Sequence, residues 1–286
     1  MEKNEERLKV IENIKECVEN NRLNDKVEIN DPVVDREELN KILMNFDITK
    51  NNIVSRYKRK VARNIANNYT KIFNYDTKII GLENLNEVKT GAIITSNHFS
   101  PKDSTVIMYA MNKIGKREHM DIVIEEENIM MTGQFGFLMN NCGTIPLSTG
   151  KEYFEKKFMP AIETLLKNKD FILIYPEEQM WFNYRKPRPL KYGAYHLAAK
   201  FNVPVIPCFT EIRTRKDFDD DGFKKIKFIL HIMKPIYPDE NKSLKQNKIE
   251  MCQKDYEYKV KAYEDCYKKK LTYDFDEEDI AGLTEK

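Results

Sequence analysis

From Lys78 onward short apolar runs alternate with helical periodicities, and this constrains the fold of the 286-residue chain more than any other feature. Runs near 78–80, 92–95, 121–124, 144–147, 171–174, 204–209 and 225–233 have the length and β-branched content of strands. Between them, 104–112, 128–139, 151–167 and 192–200 carry helical patterns, and Phe154, Phe158, Ile162 and Leu165 give the third of these one apolar face. Strands separated by helices predict an α/β fold with a largely parallel central sheet and flanking helices. Sites in such folds form beyond the carboxyl ends of the strands. His98, Glu177 and the region of Pro207 all follow strands, so they are expected to face one crevice. Pro204 and Pro207 are read as structural, bracketing a short buried strand whose flanks cannot extend the pairing.

Helical segments are expected at both ends. The division is a helical N-terminal extension (1–77), an α/β domain (78–238) and a C-terminal helix with an acidic tail (239–286). Residues 2–20 read as a charged helix with Leu8, Ile11 and Ile14 along one side, followed by a loop over 24–35 ending at Asp31-Pro32 and a helix near 36–44. In 51–73, Val54, Tyr57, Val61, Ile65, Tyr69 and Ile72 recur at helical spacing, with Arg56, Lys58, Arg59, Lys60 and Arg63 around the first half. One reading packs the apolar stripe on the domain and leaves a solvated basic face. The other lays the helix on anionic lipid, where each basic residue near the surface contributes about 1 kcal/mol. Past Pro238, Ile249, Cys252, Tyr256, Val260, Tyr263 and Tyr267 form the stripe of a long closing helix. The final dozen residues, with five acids between Asp274 and Asp279, are expected to fray.

Charge is nearly balanced, 48 Lys and Arg against 46 Asp and Glu, so no global field calls for nucleic acid as a partner. The five cysteines are scattered and odd in number, and the chain starts with charged residues rather than a signal-like segment. A reducing, cytoplasmic setting fits. The four histidines are scattered too, so no metal is expected. No apolar run approaches the roughly 20 residues that span a bilayer, so any lipid must be met from the surface.

The chemistry-bearing residues begin where the second apolar run ends, in Asn97-His-Phe-Ser-Pro-Lys-Asp103. Pro101 keeps a helix from starting earlier, which puts His98 on the turn and Asp103 at the entry of the next helix. A carboxylate there can bond one ring nitrogen, fix the tautomer and leave the other free as a base. An ordinary helix entry carries the same two residues.

This stretch resembles the first motif of the glycerolipid acyltransferase family, His-x4-Asp preceded by Asn. Gly143-Thr-Ile-Pro-Leu147, Tyr175-Pro-Glu177 and Val203-Pro-Val-Ile-Pro207 resemble its second, third and fourth blocks, in order. The resemblance covers roughly residues 78 to 235. It implies transfer of a fatty acyl group from acyl-CoA or acyl-carrier protein to a hydroxyl of a glycerolipid-like acceptor, peripherally on the inner face of a membrane. The thioester carrier is then a co-substrate, and no cofactor is needed. His98 would be the base and Asp103 its orienting partner, with Asn97 bracing the turn or touching substrate. Glu177 would bind an acceptor hydroxyl or hold its loop through backbone amides.

Two departures bear on the acceptor. The second block usually ends in an arginine that pairs with the acceptor's phosphate, and Thr149 stands there; the third usually continues with Gly, and Glu178 stands there. Losing the guanidinium removes a bidentate phosphate clamp. Arg185, Arg188 and Lys191 are the candidates to replace it. An acceptor without a phosphate is the alternative, and a catalytically idle lipid or carrier binder a third reading. A serine hydrolase is discouraged by the lack of Gly-x-Ser-x-Gly. Trp181 and the stretch Met130, Met131, Phe135, Phe137, Leu138 and Met139 read equally as acyl-channel walls or as core.

Overall fold

The computed structural model describes residues 4–29, 34–50 and 52–283; the Asp31-Pro32 end of the expected first loop lies outside them. In chain order come helices α1 (Glu5–Glu19), α2 (Arg36–Asn45) and α3 (Ile53–Phe73), strand β1 (Lys78–Ile80), α4 (Leu82–Glu87), β2 (Ala92–Thr95) and α5 (Ser104–Lys113). Then follow β3 (Met120–Glu125), α6 (Gly133–Asn141), β4 (Thr144–Leu147), α7 (Lys151–Tyr153), α8 (Met159–Lys167) and β5 (Phe171–Ile174). The chain ends with α9 (Gly193–Lys200), β6 (Val205–Phe218), β7 (Lys224–Ile232) and α10 (Leu244–Tyr267). A π-helical turn, Phe154–Phe158, joins α7 to α8. The helix expected over 128–139 starts later, at Gly133, because Glu126–Met130 forms a 3-10 turn instead.

The seven strands make one sheet in the order β1-β7-β6-β2-β5-β3-β4. All neighbours are parallel except β6 and β7. β2 and β5 are apolar along nearly their whole length because helices cover both faces of the sheet. One face packs Ile93 and Ile172 against Ile162 and Leu165 of α8, Ala198 of α9 and Met251 of α10. The other packs Ile94 and Leu173 against Val106, Ile107 and Ala110 of α5. β6 runs through Pro207, contrary to the expected short strand. The missing N–H falls where pairing with β2 ends, at Thr95↔Pro207, and the strand goes on with β7 from Cys208.

α3 forms where expected but is turned over. Ala62, Arg63, Asn67 and Thr70 are buried, while Val54, Tyr57, Tyr69 and Ile72 are exposed, Tyr57 by 70%. Polar contacts outweigh the apolar stripe. Arg59 and Arg63 both reach the buried Asp121 carboxylate, at 2.6 and 3.3 Å, and Arg63 also donates to the Met120 carbonyl. Gly143, in a left-handed conformation, admits this cluster; a Cβ there would sit 2.6 Å from both Arg63 and Asp121. Among the described residues no helix is long and apolar enough to cross a membrane.

The two ends of the chain add to the body of the protein. Val10, Ile11 and Ile14 of α1 share a core with Trp181, Tyr184, Phe223 and Ile280. The acidic tail does not fray within the described residues: Asp279 pairs with Lys186 at 2.7 Å, and Ile280 and Ala281 are buried. In α10 the most buried positions are polar. Asp255 and Lys259 pair with each other inside the protein, beside Thr95 and Tyr195, whereas Ile249 of the expected stripe is exposed.

Candidate functional site

The parallel strands β2, β5, β3 and β4 deliver His98, Glu177, Glu125 and Thr149 to the same end of the sheet. The turn after β2 is clamped on both sides of His98. The Asn97 side chain accepts from the Thr210 amide (2.8 Å) and donates to the Thr210 carbonyl (3.1 Å), so it braces the turn against β6. Asn97 is buried, and its polar atoms are committed to that strand, so the structure does not offer it to a substrate. Phe99 is buried with Ile212 and Ala281.

Asp103 immediately precedes α5, and its side chain turns back to the loop. One oxygen takes His98 Nδ1 at 2.7 Å and the amides of Phe99 and Ser100 at 3.0 and 3.3 Å. The other accepts from the Tyr175 hydroxyl at 2.6 Å. A carboxylate with four donors has no freedom to rotate. With Nδ1 donating to Asp103, the lone pair of His98 is on Nε2, which has no hydrogen bond among the described residues. Tyr175 also stacks on the imidazole, centroids 4.1 Å apart. The imidazole is thus held through Nδ1 and one ring face, while 22% of its side chain stays open to solvent. Burial and Asp103 both push the Tyr175 phenol well above its ordinary pKa, so it remains a donor.

Glu177 is not open to an acceptor. It is buried, and its carboxylate accepts from the amides of His98 (3.2 Å) and Arg188 (3.0 Å) and from the Arg188 guanidinium (3.0 and 3.2 Å). Of its two expected roles, the geometry matches the one that holds the loop. Arg188 is fully buried, donates to the carbonyls of Leu23 and Gln179, and lies over Trp181. A guanidinium so placed cannot clamp a substrate phosphate without unfolding the loop.

Arg185 is likewise engaged, by the carbonyls of Ile212 and Glu278 and the Thr214 hydroxyl. Lys191 differs: its amide donates to the Pro176 carbonyl (2.7 Å), and its side chain is exposed. Thr149 is exposed in the turn after β4. The structure therefore brings His98, Asp103, Asn97 and Glu177 together, and of the three basic candidates it leaves only Lys191 open. Glu178, where the family has Gly, takes a left-handed φ of 65°, the conformation that makes glycine the ordinary choice there.

Trp181 is core: it is fully buried and donates to the Asp25 carbonyl at 2.9 Å. Burial pushes the Cys142 thiol up to about 11, away from the thiolate form. The 130–139 stretch divides, with Met130 packed on the core and Met131 and Phe135 exposed. Two contributors escaped the sequence reading. Tyr175 carried a signal, a hydroxylated aromatic ending the strand beside β2. The segment after α1 carried none: Asn24 donates to the carbonyls of Glu177 (3.2 Å) and Pro189 (2.8 Å) from over 150 residues away.

Parts of this chain are similar to known proteins. A family model described as Acyltransferase matches residues 76–211. The chain is 29% identical over 158 residues to a chloroplastic 1-acyl-sn-glycerol-3-phosphate acyltransferase of Brassica napus, a match covering 54% of this chain and 44% of the relative. The chain thus spans less than half the length of that relative. The crystal structure of the 1-acyl-sn-glycerophosphate acyltransferase PlsC from Thermotoga maritima shares the fold, with a TM-score of 0.52 at 17% identity over 82% of this chain and 90% of that one.

Proposed function

We propose that this chain, which a family model described as Acyltransferase matches over residues 76–211, moves a fatty acyl group from acyl-CoA or acyl-carrier protein to a hydroxyl of a glycerolipid-like acceptor. His98 acts as the general base. The observation that carries this reading is the fixed His98–Asp103 pair, with Nδ1 committed at 2.7 Å and Nε2 left free on an open edge. The acceptor hydroxyl gives its proton to Nε2 as its oxygen attacks the thioester carbonyl. The C–S bond breaks as the ester forms, and the thiolate leaves with the proton returned from His98. A thiolate leaves well, so no acyl-enzyme is required. An idle binder would have no use for a base held by Asp103, Tyr175 and two backbone amides.

A lipid surface supplies the acceptor. Support comes from the outward apolar row of α3, where Ile53, Val54, Tyr57, Tyr69 and Ile72 are exposed alongside Arg56, Lys58 and Lys60. The row ends beside the site: Phe73 lies under Lys102 of the His98 loop, and Asn74 donates to Thr105. Exposed Met131, Phe135 and Leu147 offer apolar surface for the acyl chain near the ends of β3 and β4. An acceptor without a phosphate is the second reading. It is favoured by Thr149 in place of the family's arginine and by the engagement of Arg185 and Arg188 elsewhere.

The test is thiol release from palmitoyl-CoA and from palmitoyl-carrier protein, by wild type and His98→Ala. The acceptors are lysophosphatidate, glycerol 3-phosphate, a neutral lysolipid and none. Acceptor-dependent release that falls about 10²–10⁴-fold in the variant is expected. Release untouched by the substitution removes His98 as base, and release with the neutral lysolipid alone selects the second reading.

A further inference from the structure

Away from that site, Glu211 of β6, His231 of β7 and Cys266 of α10 meet where the closing helix covers the sheet. We propose that these three side chains bind one thiophilic divalent cation of the zinc type. His231 Nε2 lies 2.8 Å from Glu211 Oε2 and 3.3 Å from Cys266 Sγ. Both partners converge on the same ring nitrogen. A Cys–His–Glu relay would need the thiol on one nitrogen and the carboxylate on the other, so the cluster is not a nucleophilic triad. It is instead three donor atoms around one point. With zinc bonds of about 2.0–2.1 Å to nitrogen and oxygen and about 2.3 Å to sulfur, tetrahedral edges are about 3.3 Å for N to O and about 3.6 Å for S to N. The N–O edge needs to open by about 0.5 Å and the S–N edge by about 0.3 Å from the 2.8 and 3.3 Å seen here.

The surroundings match such an ion. Glu211 is buried, and its partners His231, Cys266 and Arg213 outweigh the effect of that burial, holding the carboxyl down to about 2, so it is ionised at any ordinary pH. Arg213 contacts the other carboxylate oxygen, Oε1, and donates to the Cys266 carbonyl at 2.8 Å. It fixes both the carboxylate and the helix end without occupying Oε2, as outer partners of metal ligands do. His231 and Cys266 are partly exposed, which gives an ion a way in and leaves a fourth position to water. Burial and Glu211 push the Cys266 thiol up to about 12. Binding must therefore displace that proton, and the proton that His231 Nε2 donates to Glu211 moves through solvent to Nδ1: the S–H bond breaks, the sulfur–metal and nitrogen–metal bonds form, and one proton is released per ion. A thiolate and a carboxylate then balance a 2+ charge. The ion would join α10 to β6 one residue beyond Thr210, whose backbone braces Asn97 beside His98.

The test uses the full chain, reduced and anaerobic, titrated with Co²⁺ and then displaced with Zn²⁺. Variants are Cys266→Ser, His231→Gln and, as a thiol control, Cys252→Ser, each checked for folding by circular dichroism. One Co²⁺ per chain is expected, with a near-ultraviolet thiolate charge-transfer band and about one proton released. The band should vanish in Cys266→Ser, persist in Cys252→Ser, and need at least about tenfold more Co²⁺ in His231→Gln. A wild type without the band overturns the proposal, as does a band unchanged in Cys266→Ser. If Cys266→Ser does not fold, unchanged affinity in His231→Gln does the same.

Discussion

Replacing Arg188 by Met leaves the Glu177 carboxylate inside the protein without its counter-charge. In the wild type that carboxylate receives two guanidinium contacts at 3.0 and 3.2 Å and two backbone amides. The substitution removes the guanidinium contacts and also frees the carbonyls of Leu23 and Gln179. Breaking one side of a buried ion pair costs about 3–5 kcal/mol, because the remaining charge is left uncompensated. At about 2–4 °C per kcal/mol, the melting midpoint falls by roughly 6–20 °C. Restoring neutrality with Glu177→Gln in the same chain should recover a substantial part of the loss. The two single losses would then exceed the double, with a coupling of at least about 1 kcal/mol. Urea unfolding of the four chains measures this. The reasoning fails if Arg188→Met keeps the wild-type midpoint and instead raises KM for a phosphate-bearing acceptor, since Arg188 would then face substrate.

Further outcomes follow from other residues. Glu178→Gly removes the left-handed strain at φ 65° and should raise stability by up to about 1 kcal/mol; a lower urea midpoint would contradict this. Burial pushes the Lys50 ammonium down to about 8, below its unfolded value, so its penalty is complete below pH 8 and is relieved as pH rises toward 10.5. Lys50→Met should therefore stabilise the fold at pH 7 by about 1–2 kcal/mol and flatten stability between pH 8 and 10.5. Tyr175→Phe keeps the stack on His98 but loses the 2.6 Å bond to Asp103; kcat should fall about tenfold with KM unchanged, and an unchanged kcat removes Tyr175 from the positioning of His98. Val54→Asp with Ile72→Asp should abolish sedimentation with anionic vesicles while leaving the melting midpoint within a degree or two, because both side chains are exposed. Unaltered sedimentation would separate α3 from the lipid surface.

The strands were legible as short apolar runs, most clearly β2 and β5, which are buried on both faces, and β1, β2, β4 and β5 lie where composition placed them. The His98–Asp103 pair was legible for a similar reason: five residues and one proline set its geometry locally. α3 shows where that reasoning stops. Periodicity locates a stripe, but which side faces inward depends on Asp121, 58 residues from Arg63. The basic residues after Glu177 show the same limit. A charge in the sequence reads as available, yet Arg188 is fully buried and Lys191 exposed, three positions apart.

By itself, then, the sequence determined the α/β alternation, the turn that carries His98 and the blocks that a family model described as Acyltransferase matches over 76–211. These depend on the size, polarity and backbone preference of neighbouring residues. Only the tertiary structure decided which charges are partners of one another, as with Arg188 and Glu177 or Asp255 and Lys259, and which apolar face stays in water. Those outcomes turn on burial and on donors brought from distant elements, such as Tyr175 to Asp103, or Glu211 and Cys266 to His231. The strength of a charge or hydrogen bond depends on the dielectric around it, and that is a property of the packed chain, not of any segment.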